Sequence, residues 1–128
     1  MERTNIKSGA PWEEIVGYSR AVKVGNTLEI SGTAPVRNGV VESESGYDQA
    51  ICCLQIIRET LEKAGMKLED VVRTRMYVTD ISQWEEFGRA HQEYFGAIQP
   101  ATAMVEVQAL IDPKMLIEIE ATAVSGTD

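Results

Sequence analysis

Gln99-Pro100-Ala101-Thr102-Ala103-Met104-Val105-Glu106-Val107 and, after a short turn, Ile117-Glu118-Ile119-Glu120-Ala121 alternate residue by residue. A period of two marks a strand, because successive side chains point to opposite sides of the pleat. Read this way, Ala101, Ala103, Val105 and Val107 share one face and Thr102, Met104, Glu106 and Gln108 the other. In the second run Met115, Ile117, Ile119, Ala121 and Ala123 face one way, and Leu116, Glu118, Glu120, Thr122 and Val124 the other. The pattern predicts two adjacent strands whose non-core faces carry three carboxylates, Glu106, Glu118 and Glu120. Strand interiors are poor in Glu, so such a cluster is either neutralised by cations or kept for chemistry.

Both readings have support elsewhere in the chain. Val71 to Thr79 also alternates, with Val72, Thr74, Met76 and Val78 on one face and Arg73, Arg75 and Tyr77 on the other. Arg73 and Arg75 are therefore candidate ion-pair partners for the carboxylates, across the sheet or across a subunit boundary. Alternatively, burial and like-charge crowding raise a carboxylate's pKa toward neutrality and suit it to general acid or base work.

The elements between follow from local signals. Tyr18 to Val24 and Leu28 to Thr33 flank Gly25-Asn26, a short connection of the hairpin type, and Gly39 to Glu42 reads as a weak third strand. Ser45-Gly46-Tyr47-Asp48 has the form of a capping box, followed by apolar Ala50, Cys53, Leu54, Ile57, Leu61 and Ala64 at helical spacing, with Gly65 as the stop. Ser82-Gln83-Trp84-Glu85 repeats the box, and Trp84, Phe87, His91, Tyr94 and Phe95 form one stripe, read as core, before Gly96. His91 on this stripe is either a hydrogen-bonded core histidine or a catalytic group. The start through Pro11 reads as loose, and Ser125 to Asp128 as a polar tail. The order of two or three strands, helix, strand, helix and two strands predicts an α+β fold, a mixed sheet covered by helices on one face. The opposite face carries charge and needs cover, which a subunit interface supplies.

Composition narrows the classes. A chain of 128 residues, 44% hydrophobic and 25% charged, fits one compact domain over residues 1–128. No run approaches the roughly 18 apolar residues of a membrane span, and Met-Glu-Arg-Thr-Asn lacks the apolar stretch of a secretory signal. A net charge of -8 repels phosphate backbones, which disfavours nucleic acid as partner. The only cysteines, adjacent Cys52 and Cys53, cannot make an ordinary bridge and suit a reducing, cytoplasmic setting. One histidine and no spaced cysteine set leave no zinc site, with an oxygen-ligand site on the Glu cluster as the remaining metal option. The absence of a Gly-x-Ser-x-Gly elbow, a phosphate loop or a dinucleotide fingerprint argues against serine hydrolase, nucleotidase and dehydrogenase, and no cofactor is expected.

Seven motifs in order, Gly17-Tyr18-Ser19-Arg20-Ala21, Leu28-Glu29-Ile30-Ser31-Gly32, Leu61-Glu62-Lys63-Ala64-Gly65, Asp70-Val71-Val72, Tyr77-Val78-Thr79-Asp80, Pro100-Ala101 and Ile117-Glu118-Ile119-Glu120-Ala121, resemble the RidA/YjgF family over about Tyr18 to Val124. The resemblance implies a chorismate-mutase-like α+β fold with two helices on one sheet face. It also implies a homotrimer with small-molecule clefts between subunits, and hydrolysis of reactive enamines and imines to a carbonyl compound and ammonia. In members with that activity Pro-Ala precedes an Arg that grips the substrate carboxylate; here the position is Thr102, which supplies a hydroxyl but no charge.

By the same resemblance Glu118 matches the carboxylate that positions or activates water, although the preceding turn, Leu110 to Met115, is one residue longer than usual. Tyr18, Ser31 and Gly32 match cleft-lining positions, Met104 stands where many members carry Cys, and His91 where Asn is common. Glu120 supports Glu118 or pairs with an arginine, and Arg75 is the candidate replacement for the missing Arg. The expectation is a deaminase acting on a non-standard enamine or imine through Glu118. The alternatives are a non-catalytic metabolite-binding trimer and, as a family label, a ribonuclease or translation inhibitor.

Overall fold

The computed structural model describes residues 1–126; Thr127 and Asp128, the end of the expected polar tail, lie outside the described residues. In chain order the elements are β1 (Arg3–Ile6), α1 (Pro11–Val16), β2 (Ala21–Val24), β3 (Thr27–Thr33), β4 (Val36–Arg37), β5 (Val40–Val41), α2 (Gly46–Lys63), β6 (Val71–Val78), α3 (Trp84–Phe95), β7 (Ala101–Glu106) and β8 (Ile117–Val124). Six strands form one sheet in the order β1-β2-β3-β8-β6-β7, and β4 and β5 make a separate two-stranded ribbon. Only β6 and β7 run parallel, joined by the α3 crossover; the other pairs are antiparallel. This is the α+β mixed sheet expected, with α2 and α3 on one face.

β8, placed centrally, explains the apolar half of its alternation: Ile117, Ile119, Ala121 and Ala123 are all buried, against Cys53, Leu54, Ile57 and Leu61 of α2 and Phe87 and Phe95 of α3. Ser45 caps α2 by accepting from the Asp48 amide at 3.2 Å, as its sequence indicates. Arg89 of α3 lies 3.9 Å from the Tyr47 ring centroid, and the Tyr47 hydroxyl donates to Glu93 at 2.6 Å, which ties the two helices together at their surface. Cys52 and Cys53 are free and buried; burial pushes both thiols up, so neither is a ready thiolate.

A polar side chain in this core sets the path into β8. Gln49 is fully buried, donates through Nε2 to the carbonyls of Ser43 (3.1 Å) and Lys114 (2.9 Å), and accepts the Leu116 amide at 2.7 Å. It thereby pins the 107–116 connection to α2 two residues before Glu118.

Several expectations are corrected. The start through Pro11 is not loose: β1 pairs with β2, and α1 begins at Pro11 and ends at Gly17 in the left-handed conformation (φ 86°). Glu13 of α1 is buried because its carboxylate accepts the amide and hydroxyl of Ser8. Six helical residues are too few to show a period, and four strand residues at an edge too few to show alternation.

α3 begins at Trp84 without the expected Ser82 box; Asp80 instead caps a preceding 3-10 turn by accepting the Ser82 amide and hydroxyl. Trp84, read as core, is 56% exposed at the first residue of α3.

The carboxylate cluster also divides. β6 lies between β7 and β8, and its register sets Ala103, Arg75 and Glu120 side by side, and likewise Val105, Tyr77 and Glu118. Ala101, Ala103 and Val105 therefore share the helix-free face with Glu118 and Glu120, while Thr102, Met104 and Glu106 face the helices. The sequence reading had inverted β7, since an edge strand exposed on both sides gives its apolar face no distinct signal. Glu106 belongs to neither face's chemistry: it accepts the Ile81 amide at 2.9 Å and holds the turn that leads into α3.

Candidate functional site

The site grows from an irregularity in β3. Its pairing with β8 runs from Ile30 opposite Ala121 to Thr33 opposite Ile119, so β3 carries one extra residue across Ser31-Gly32. A bulge re-aims the local backbone, and side chains then fix it: Ser31 Oγ donates to the Ser19 carbonyl (2.7 Å), Thr33 Oγ1 to the Ser31 carbonyl (2.9 Å), and Arg20 Nη2 to the Gly32 carbonyl (2.6 Å). Glycine at position 32 leaves room for the Glu118 carboxylate. A Cβ there would overlap Glu118 Oε2 and stand 3.0 Å from Cδ.

Glu118 thus lies flat against bare backbone, half-buried, with no hydrogen bond or ion pair among the described residues. Burial raises its pKa above the ordinary carboxylate value, the Arg20 charge opposes the rise and Glu120 adds to it. Two strands away in chain order but adjacent in the sheet, Tyr77 donates to Glu120 Oε1 at 2.9 Å. Burial, then this bond, raises the phenol's pKa, which keeps it a donor.

Arg20 has no carboxylate ion-pair partner among the described residues. Its Nε is sealed from solvent without an acceptor, and burial lowers the guanidinium's pKa; an orphaned buried donor of this kind costs about 1–3 kcal/mol.

These residues border a cavity of about 790 Å³ whose wall includes Tyr18, Arg20, Ser31, Gly32, Glu118 and Glu120, with Trp12 of α1 and Met115 also against it. Size and mixed lining suit a small metabolite. Among the described residues no set of three His, Cys, Asp or Glu is grouped to hold a metal ion.

The other predicted site residues lie elsewhere. His91 Nε2 and Thr102 Oγ1 both contact Thr74 Oγ1, at 2.8 and 2.7 Å, in a chain that crosses from α3 through β6 to the exposed edge strand β7. Burial lowers the His91 pKa, so the ring is neutral and its Nε2 either accepts from or donates to the threonine. Met104 is half-buried on the same face against the core. Arg75 is on the opposite face, in register with Glu120, and neither Arg75 nor Arg73 forms an ion pair with Glu118 or Glu120 within the chain. Thr102, His91, Met104 and Arg75 are all outside the cavity wall.

Two residues escaped the sequence reading. Alternation places Thr74 on one strand face with Val72, Met76 and Val78, and nothing local reveals that its hydroxyl joins two other elements. Arg20 had a signal: alternation through Tyr18-Ser19-Arg20-Ala21 sets it on the face of Tyr18, away from buried Ala21.

A mixed sheet with helices on one face and a cleft beside its bulged strand defines an α+β class of protein. The sequence model of the family described as endoribonuclease L-PSP matches residues 9–125. The chain is 39% identical over 126 residues to a RutC family protein of Pyrococcus horikoshii, covering 96% of this chain and 98% of the relative. A crystal structure of a YjgF-family protein from Mycobacterium tuberculosis superposes with a TM-score of 0.90 at 46% identity, covering 96% of this chain and 99% of that one. The Escherichia coli YjgF structure gives 0.81 at 29% identity, with 94% of each covered. The chain belongs to the YjgF, or endoribonuclease L-PSP, family.

Proposed function

We propose that the chain is a deaminase that hydrolyses a small reactive enamine or imine to a carbonyl compound and ammonia. The observation that carries this reading is Glu118: an unpaired, half-buried carboxylate with a raised pKa, seated against Gly32 in the wall of a metabolite-sized cavity. The enamine tautomerises to its imine, and Glu118 takes a proton from water as the oxygen attacks the C=N carbon. The proton passes to nitrogen to give a carbinolamine; its hydroxyl proton then moves to nitrogen through Glu118 as the carbonyl forms, the C–N bond breaks and ammonia leaves. Glu120, held by Tyr77, sustains the charge that raises Glu118.

Three copies of the chain form the working unit in this reading. Thr102 and Glu118 sit on opposite faces of one sheet with β6 between them, so a cleft that uses both takes them from different copies. The helix-free face, with Arg73, Arg75, Tyr77, Glu118 and Glu120, is the surface such neighbours cover. Thr102 also sets the substrate apart from the 2-imino acids that an Arg at this position would hold. The chain acts in this reading in the cytoplasm.

The test is ammonia release from freshly generated 2-aminoacrylate and from a panel of small enamines, with wild type, Glu118→Gln and Thr102→Arg. Acceleration of a panel member that Glu118→Gln abolishes supports the reading, with Thr102→Arg gaining on 2-aminoacrylate. No acceleration of any substrate by any form overturns it. The charge-free hydroxyl of Thr102 favours a second reading, a trimer that captures a metabolite without turnover; ligand binding without ammonia release is its outcome. A net charge of -8 speaks against an RNA substrate.

A further inference from the structure

The cavity beside Glu118 contains a cation that forms no ion pair among the described residues. Arg37, in the same wall, is committed to Glu59 through two bonds of 2.8 Å. Lys63 is exposed at the end of α2 and fully hydrated. Arg20 differs from both: half-buried, bonded only to the Gly32 carbonyl, with a sealed Nε that meets no acceptor. Arg73 has a similar orphaned Nε, but it lies outside the cavity wall.

We propose that Arg20, and neither position 102 nor Arg75, is the residue that holds a ligand's single carboxylate in this cleft. This rests on the reading that the cavity beside Glu118 is the ligand site, and it names the ligand's charge. The bond from Nη2 to Gly32 holds the guanidinium in one orientation before a ligand arrives, so little side-chain freedom is lost on binding. A planar carboxylate matches Nη1 and the second N–H of Nη2, the sealed Nε being out of a ligand's reach. Glu118 and Glu120 in the same wall repel a dianion such as a phosphate ester, and that selects a single negative charge. The anchor shares the Gly32 bulge with Glu118, so the ligand's carboxylate and its reacting carbon are held from a single backbone feature. Burial of Arg20 strengthens the attraction, since its charge is poorly hydrated. Arg75, the replacement that sequence suggests, lies outside this wall.

The experiment is equilibrium binding to the full chain of short oxo acids with carboxylate and ketone at increasing separation, and of their methyl esters, by calorimetry. The Arg20 side-chain N–H resonance is followed in parallel. At least one acid binds wild type, its ester binds at least about tenfold more weakly, and the acid moves the Arg20 resonance. Arg20→Gln loses the preference for acid over ester, Arg20→Lys keeps part of it, and Arg75→Ala matches wild type. Equal binding of acid and ester, an unmoved Arg20 resonance, no acid bound at millimolar concentration, or loss of the preference in Arg75→Ala overturns the proposal. The acid–ester comparison and the resonance are read on wild type, so a misfolded Arg20→Gln does not obscure them. Acid binding through Arg20 without turnover of any imine overturns the deaminase reading alone; turnover indifferent to Arg20→Gln overturns the anchor alone.

Discussion

Glu118 is costly to hold in its ionised form, and that gives its replacement a signature. Its raised pKa means that folding favours the protonated acid, so this contribution to stability is full below the ordinary carboxylate value and lost as pH rises through the raised one. Glu118→Gln, neutral throughout, is expected to be at least as stable as wild type at pH 7 by thermal melting while hydrolysis is lost. A marked drop in melting temperature would instead assign Glu118 a structural role. Gly32→Ala separates position from chemistry: φ at 32 is not in the left-handed region, and the added Cβ meets only the movable end of Glu118. The carboxylate shifts, turnover falls and stability changes little. On the other sheet face, Thr74→Val removes the hydroxyl shared by His91 and Thr102 with little change of shape. Leaving His91 Nε2 without a partner costs about 1–3 kcal/mol, measurable by urea unfolding. His91 itself, its pKa lowered from 6.5 by burial, contributes stability that is present above that value and lost as pH falls below it. Replacing His91 by Gln should therefore flatten the pH dependence of unfolding just below pH 6.5. Glu118 was legible because alternation alone places it on a polar strand face. Arg20 was equally legible in its pattern, but its lack of a partner is a property of what surrounds it.

The elements divide by how far their determinants lie along the chain. α2 could be read from Ser45 to Gly65 because its cap and apolar spacing are local and the helix buries a continuous stripe. α1 and β1 could not, since Ser8 and Gly17 stabilise them through single contacts rather than a period. Gln49 shows the same limit inside a helix that was otherwise well read. A polar residue among apolar ones gives no sign that three backbone groups from two loops converge on it. Gln49→Leu leaves those groups unpaired at about 1–3 kcal/mol each if water does not replace the side chain. It also loosens the 107–116 connection, so both the unfolding midpoint and turnover should fall, the latter through Glu118. An unchanged midpoint would mean that the connection is held by other contacts. Where α2 meets α3, a Cβ at Gly46 would stand 2.9 Å from both Gln83 Oε1 and Phe87 Cε1. Gly46→Ala is expected to lower stability, in contrast to Gly32→Ala, because the obstructing ring is itself packed in the core.

The six-stranded sheet as a whole is covered by α2 and α3 on one face and bears arginines, carboxylates and a tyrosine on the other. Exposed Val105 on β7 belongs to this second face, and Val105→Asp tests whether neighbouring copies cover it. Light scattering should give a trimer mass for wild type and a monomer mass for the variant; equal masses would remove the role given to this face. Among the described residues no helix is long and apolar enough to cross a membrane. Strands β3, β6 and β8, the two long helices and the polar faces of β6 and β8 were set by the sequence alone, because alternation and helical spacing are written into neighbouring residues. Only the tertiary structure decided that β6 separates β7 from β8 and that Thr102 turns toward the helices. It also decided that Arg20 and Glu118, from opposite ends of the chain, meet at one bulge. Strand order and charge pairing depend on contacts between distant segments, and no local period records them.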